Sequence, residues 1–525
     1  MEAGVKKIRV IGYIVFLGVS CISIGSIIVL LVNSQRNIFI NHYETEILFF
    51  TIFQALFSAL ISISLAIPIS RAIYRNNFPG KNILIRIMNV MFVLPVLIVI
   101  LTVIKIFGFN GMPNQILELF GFERISIYGL QGILIGHVLI NLPFAVRLIL
   151  SGWLLIPSEH FRLASQLNFS STEYFKYLEL PMLKKVIPSI FTIIVLFCCL
   201  TFSIALILGG GPGATTVELA IYQTIIFDGK LGVAARLSIY QLVLMCSILI
   251  VSFKISGKPV FENSLILNSK NHMPKNSLQR GMDFIFISTY FLFISLPLII
   301  IFYKGIANIF SVEIFLVRAL LNSLFVAFLA ATVNICVSII ISFTIVKENR
   351  FSKLFLEIIS FSLICISPLV LGTAIFLALF QYIDISNNAL VLTGLVNGIL
   401  TIPFTLTILL PGFTQITNRY GQIMRSLGLS NIKQIYEIYL PLLKAPIRFA
   451  FALVFALSIG DLGIIVLFSG SESSTLPMYL YRLMGSYRMD EAYTVALLLL
   501  IVAISSFWII EKGFYYATLR KKMFY

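Results

Sequence analysis

Charge is scarce in this sequence. Of its 525 residues only 11% are Asp, Glu, Lys or Arg, where a soluble domain carries roughly 25%. The mean hydropathy is +1.00. That combination excludes a soluble globular chain, because no soluble fold hides so many apolar runs. Extended polar stretches are lacking too, with residues 254–281 the one long break. The four histidines (His42, His137, His160, His272) are scattered, so no metal site is suggested. Each of the six cysteines lies in an apolar run, and none has zinc-ligand or redox spacing, so they read as small hydrophobes. No G-x-x-x-x-G-K-[ST] segment occurs, which excludes a nucleotide-binding loop of that type. The glycine-rich run Gly209, Gly210, Gly211, Pro212, Gly213 lacks the Lys-Ser/Thr that would make it a phosphate cradle. No His/Asp/Glu or Ser/Cys constellation of catalytic spacing is present, which argues against a membrane enzyme.

What the sequence has is apolar blocks long enough to cross a bilayer, a task needing about 20 residues per helix. They predict about twelve transmembrane helices, near 9–32, 47–69, 83–106, 128–150, 187–208, 232–253, 282–304, 318–345, 354–380, 389–411, 446–468 and 492–511. The expected fold class is an all-α polytopic membrane protein. The first run follows Lys6, Lys7 and Arg9 without a small-residue cleavage site, so it reads as a retained span. With both termini cytoplasmic, the inward loops collect most of the Lys and Arg. The outward ones hold only Arg36, Arg124, Lys230, Lys304, Arg318, Arg482 and Arg488. Topology thus explains the formal charge of +16, and a nucleic-acid partner is not expected.

The polar break separates two similar halves. Pro181 and Pro441 are 260 residues apart. Ser170 and Ser430, Asn168 and Gly428, and the tetrapeptides beginning at Asn141 and Thr401 keep that offset. Further on it drops by one, where Thr216 and Tyr222 answer Thr475 and Tyr481. The expected organisation is a first six-span module over 1–253, a cytoplasmic linker over 254–281 and a second module over 282–525. Six spans per copy make the repeats parallel.

Each module carries a polar loop between its fourth and fifth spans, about 158–186 and 418–446. In the second, Ile423, Met424 and Leu427 are spaced as on one helical face. Gly428 permits a turn, and Ser430 is placed to cap a second helix. In the first, Ser170 and Glu173 form a capping-box pattern. The second helix of each loop is expected to stop at Leu180-Pro181 and at Leu440-Pro441, since proline removes a donor. One such segment could be a mere interfacial anchor. Two in register favour a docking surface for a partner present twice.

The loops resemble the cytoplasmic signature of permeases of binding-protein-dependent ABC importers: Glu-Ala-Ala, three residues, Gly, nine residues, Ile-x-Leu-Pro. Here Gln422, Ile423 and Met424, then Gly428 and Ile438 to Pro441, occupy those places. In the first copy they are Arg162, Leu163 and Ala164, then Asn168 and Leu178 to Pro181. The resemblance implies the type I importer permease fold and a coupling helix from each loop seated on an ATP-binding subunit. Two copies of that subunit would carry ATP and Mg, leaving this chain without a cofactor or enzymatic activity. A periplasmic solute-binding protein would deliver substrate, and the chain would sit in the bacterial inner membrane. The segments 208–235 and 458–488 are similar to those of the fused thiamine-transport permeases of Gram-negative bacteria. The implied cargo is thiamine or its phosphates. Doubled ferric-iron permeases share the architecture and supply the alternative.

Among further candidates, Asp461 lies inside an apolar run, where a charge costs about 2.5–3.5 kcal/mol or more. It is expected to face the bundle interior, either as a helix-packing or gate element or as counter-ion to a cationic substrate. Gly209 to Pro212 read as a turning segment capping the pore. Thr216, Glu218, Tyr222, Thr475 and Tyr481 lie on outer loops where a binding protein could touch them. Pro95, Pro143, Pro368 and Pro403 are expected to kink helices. A six-plus-six secondary transporter would instead show relays of intramembrane ionisable residues, and beyond Asp461 the spans hold few acidic groups.

Overall fold

The computed structural model describes residues 41–154, 156–256, 277–307, 314–468, 470 and 473–522, with parts of 13–34. Much of the expected first span, 9–32, and most of the linker lie outside these. Among the described residues every regular element is helical.

In the first half, helix α1 (His42–Arg75) is followed by α2 (Lys81–Val93) and α3 (Val96–Phe107). Next come a short α4 (Met112–Leu119), α5 (Leu130–Leu154) and α6 (Ser158–Gln166). Then follow α7 (Ser171–Leu200), α8 (Phe202–Leu208), α9 (Val217–Ile226) and α10 (Leu231–Ser256). The second half opens with α11 (Ser277–Ala307), α12 (Ile314–Lys347), α13 (Arg350–Ser362), α14 (Pro368–Leu379), α15 (Ala389–Leu400) and α16 (Ile402–Ser426). It ends with α17 (Asn431–Leu442), α18 (Lys444–Ile459), α19 (Gly463–Phe468), α20 (Leu476–Gly485) and α21 (Met489–Lys522). Eight of the described helices are long and apolar enough to span a membrane, or up to 11 if each bent pair counts once. The fold is that of an all-α polytopic permease.

Prolines set several of the breaks. The expected span 83–106 is split before Pro95, which N-caps α3. The run 354–380 is two helices meeting at 91°, with Pro368 opening α14 where its missing N–H is harmless. Pro403 follows a 45° bend between α15 and α16, whereas Pro143 sits inside an uninterrupted α5.

Packing gathers the chain into two compact units interleaved in sequence. One is Ile40–Leu219 with Leu244–Ile309; the other is Met1–Phe39, Ala220–Val243 and Phe310–Tyr525. The modules describe repetition along the chain and the units describe packing, and their boundaries differ. In the first unit α1 packs on α5, α7 and α11. A buried polar row joins α1, α5 and α7: Gln54 Nε2 donates to Cys198 O (3.2 Å), Ser58 Oγ meets His137 Nδ1 (3.1 Å), and Asn141 Nδ2 reaches Cys198 Sγ (3.2 Å). In the second unit α12 packs on α15, α16 and α18. Here Asn334 Nδ2 donates to Gly398 O (2.9 Å) and accepts at Oδ1 from Thr405 (2.6 Å). Ala327, Ala331 and Ala503 let α12, α18 and α21 approach closely around Val454, Phe455 and Ile459.

Candidate functional site

The two repeat-related loops are built alike where backbone geometry is concerned. Each opens with a helix, α6 in the first and the end of α16 in the second. Each then turns through a left-handed residue, Asn168 (φ 53°) or Gly428 (φ 60°). Ser170 and Ser430 follow as N-caps, their hydroxyls accepting from Glu173 N and Lys433 N (both 3.4 Å). In the first loop Glu173 reaches back to Ser170 N (2.6 Å), completing a capping box.

At the Leu-Pro joint the sequence expectation needs correcting. The second loop helix does not stop there. It widens into a π turn, Phe175–Glu179 in one copy and Gln434–Tyr439 in the other, and α-helix resumes at Leu180 and Leu440. Each proline then occupies the first turn of the resumed helix, where no intrahelical N–H is required. The π turn shifts the hydrogen-bond register and makes room for the ring. The first copy therefore runs unbroken as α7, a 30-residue span from loop to bilayer. The second bends by 80° beyond its proline, between α17 and α18.

The faces also differ from the simple reading. In both loops the three Glu-Ala-Ala positions follow one pattern. Arg162 and Leu163 are exposed with Ala164 buried, and Gln422 and Ile423 are exposed with Met424 buried. Met424 thus points inward, away from Ile423 and Leu427, which are 54% and 67% exposed. Adjacent residues on a helix are about 100° apart, so Ile423 and Met424 cannot share a face. Leu163, Leu167 and Tyr177 are the outward apolar groups of the first loop, and Ile423, Leu427, Ile432 and Tyr436 those of the second. Pro181 and Pro441 are exposed, while Leu180 and Leu440 are half-buried.

The inner faces of the loops are held by residues that the loop sequences do not single out. In the first, Arg71 of α1 sends Nε to Glu179 Oε2 (2.6 Å) and Nη2 to Ser171 O (3.2 Å), with its guanidinium over the Phe175 ring. Glu179 is fully buried, and the Trp153 indole borders its carboxylate. One turn along α1, Arg75 approaches Asp283 of α11 (3.8 Å) and donates to Gln279 (3.0 Å). Asn76 also donates to Asp283 (2.8 Å). In the second, Tyr439 is buried against Phe413 (centroids 4.9 Å, nearly parallel) and edge-on to Phe343 (5.5 Å). Its hydroxyl meets Thr417 Oγ1 (2.6 Å), and Lys347 donates to Gln434 (2.8 Å). No local pattern in the sequence marks these anchors, since Arg71 and Glu179 come from different helices. The one hint is an acidic residue just before a Leu-Pro pair.

Elsewhere, Asp461 is engaged by backbone. Its carboxylate accepts from Gly463 N (3.2 Å), Ile464 N (3.4 Å) and Asn397 Nδ2 (3.4 Å), fastening the start of α19 to α15. The glycine run turns after α8, with Gly210 and Gly211 at positive φ ahead of a single 3-10 turn, Pro212–Ala214. A Cβ on Gly210 would lie 2.5 Å from that of Tyr128, so the close approach requires glycine. Of the residues expected to face a binding protein, Thr216, Glu218, Tyr222 and Thr475 are buried. Thr216, Glu218 and Thr475 belong to helix starts and Tyr222 to the middle of α9: Val217 N donates to Thr51 Oγ1 (3.0 Å), and Leu476 N donates to Ser323 Oγ (2.7 Å). A span thereby supplies the missing first-turn partner in each half. Tyr481 is half-buried. Among the described residues no group of His, Cys, Asp or Glu could hold a metal.

A polytopic helical chain with two repeat-related loops of this build belongs to the class of membrane-transport permeases, and sequence comparison agrees. No family model matches. The thiamine transport system permease protein ThiP of Escherichia coli is 32% identical over 478 residues, 90% of this chain and 89% of that protein. ThiP of Haemophilus influenzae is 34% identical over 479 residues (89% and 88%), and ThiP of Brucella abortus 32% over 483 (90% and 88%). The chain belongs to the ThiP family of thiamine transport system permeases, multi-pass proteins of the inner membrane.

Proposed function

We propose that this chain is the transmembrane subunit of an ATP-driven importer that moves thiamine, or its phosphates, from a periplasmic binding protein to the cytoplasm. The observation that carries the reading is the pair of loops. Both turn through a left-handed residue, both are capped by serine, and both present exposed apolar groups outward over a buried anchor. Leu163 and Leu167 in one loop and Ile423 and Leu427 in the other suit a groove on an ATP-binding subunit, one copy per loop. Those subunits hold ATP and Mg, and both termini of the permease lie in the cytoplasm with the loops. Closure of the ATP-bound pair swings the halves outward-open to receive substrate, and hydrolysis returns them. Asp461 serves the fold of α19, because its carboxylate is already committed to two backbone donors and Asn397.

Reconstitution of the permease with its ATPase and binding protein in liposomes tests the reading. Thiamine-loaded binding protein is expected to stimulate ATP hydrolysis and drive thiamine inward. Absence of stimulation overturns the importer assignment. Stimulation by a ferric-iron-loaded protein in place of the thiamine-loaded one overturns the cargo alone. Asp461→Asn with weakened thiamine uptake at unchanged folding would restore the counter-ion role.

A further inference from the structure

The repeat permits a residue-by-residue comparison of the two joints between loop and span. The offset shared by the loops pairs Trp153 with Phe413 and Glu179 with Tyr439. Thr51 and Ser323 perform the same task on α9 and α20, and α1 and α12 have equal length. That register pairs Arg71 with Phe343 and Arg75 with Lys347. One half thus has Arg, Trp and Glu where the other has three aromatic rings. The charged half does not end at the pair. Arg75 and Asp283 continue it, giving two cations and two carboxylates in one cluster that joins α7, α1 and α11. Helix α11 belongs in sequence to the second half.

We propose that Arg71 and Glu179 form an ion-pair bolt that fixes the first coupling loop to α1 and, through Arg75 and Asp283, to α11. The transport consequence rests on the importer reading above; the mechanical one does not. The Glu179 carboxylate is fully buried and pairs with Arg71 at 2.6 Å, so widening the Arg71–Glu179 distance removes the compensation for its burial and carries a large penalty. Contacts between Arg71 and both Ser171 O and the Phe175 ring add a second and third point of attachment on the same loop. Three points fix an orientation as well as a position. The first loop, α1 and α11 therefore move as one body, and thrust delivered at that loop enters the first span of the second module directly. The second loop rests on the ring contacts of Tyr439 and on two hydrogen bonds, Tyr439 with Thr417 and Lys347 to Gln434, which cost less to shift than a pair built on a fully buried carboxylate. Arg71 and Glu179 are positioning residues for coupling, and the two ATP-driven strokes enter the permease unequally.

Hydrogen exchange on the full permease in lipid nanodiscs tests the bolt without any partner. In Glu179→Gln, amides of Ser171–Glu179 are expected to exchange about tenfold faster while Gln434–Tyr439 are unchanged. The double exchange of Arg71→Glu with Glu179→Arg is expected to restore protection. Native protection in Glu179→Gln, or a double exchange as open as the single variant, overturns the proposal. Should Glu179→Gln fail to insert, the double exchange decides by the same reading. In reconstituted transport, Glu179→Gln is expected to lower thiamine moved per ATP hydrolysed about fivefold with the ATPase still recruited. An unchanged ratio in Glu179→Gln removes the coupling role. A native chain that moves no thiamine with ATP overturns the importer reading and leaves the exchange result standing.

Discussion

The first loop and the second solve one packing problem with opposite chemistry. Beneath Pro181 lies the buried Glu179 paired with half-buried Arg71 beside Trp153; beneath Pro441 lies Tyr439 between Phe413 and Phe343. The contrast teaches that a repeat conserves geometry more readily than interaction type. A well-packed apolar set is often as stabilising as a buried ion pair of like volume, but the two fail differently. Losing one ring leaves a void. Losing one ion leaves a stranded charge.

The backbone differs as well. Pro157 N-caps α6 and separates it from α5, whereas Thr417, at the matching position, lets α16 run from Ile402 to Ser426 without interruption. The first loop has a hinge on its entry side and an unbroken helix on its exit side, and the second has the reverse, with an 80° bend after α17.

Glu179→Ala should break the comparison most severely, destabilising the permease by about 3–5 kcal/mol, because half-buried Arg71 loses its carboxylate and the loop loses a fully buried side chain. Thermal unfolding in detergent would read this as a large fall in Tm. Thr417→Pro would impose the first half's break on the second and should cost about 3 kcal/mol or more, since proline falls inside α16. Equal Tm values for that variant and the native chain would show that the continuity of α16 contributes nothing. Gly428→Leu should cost about 1–2 kcal/mol at a left-handed φ, and under the proposed function it also weakens ATPase recruitment. Asn168→Gly, its mirror, should be neutral or slightly stabilising, and a loss there would refute the equivalence of the two turns. Smallest is the cap: Ser170→Ala should cost about 1 kcal/mol. Ser430→Ala should cost less, because no Glu173-like partner completes its box. Urea or thermal titration of the two variants side by side would rank them.

Sequence alone made the all-helical membrane fold, the left-handed turns and the serine caps legible, because each rests on local periodicity or on a residue's own backbone preference. It misplaced the helix ends at Pro181 and Pro441. Proline normally marks a stop, and nothing in Phe175–Glu179 announces that a π turn will absorb it. The face of Met424 was misread because an apolar residue beside two others fits either side of a short helix until its neighbours are known. Arg71 looked like one more cation of an inward loop, and Glu179 was only the unspecified position before Leu180-Pro181. Their pairing depends on how α1 meets α7, which no local pattern encodes. Thr216, Glu218 and Thr475 were read as loop residues because short helices flanked by glycine resemble loops in sequence, yet folding buries them.

The π turns have a consequence for how such loops can be retuned. An i→i+5 turn holds one residue more than the α-helix needs, and so each joint stores a spare residue. Removing one residue from Phe175–Glu179 would let the helix close into regular α form, with the chain still continuous. The span beyond would then keep its face toward the bundle, because one α turn covers the same rotation as the π turn with about one residue fewer. A one-residue deletion, which in a regular membrane helix turns everything beyond it by about 100°, would here be absorbed with loop and span still in phase.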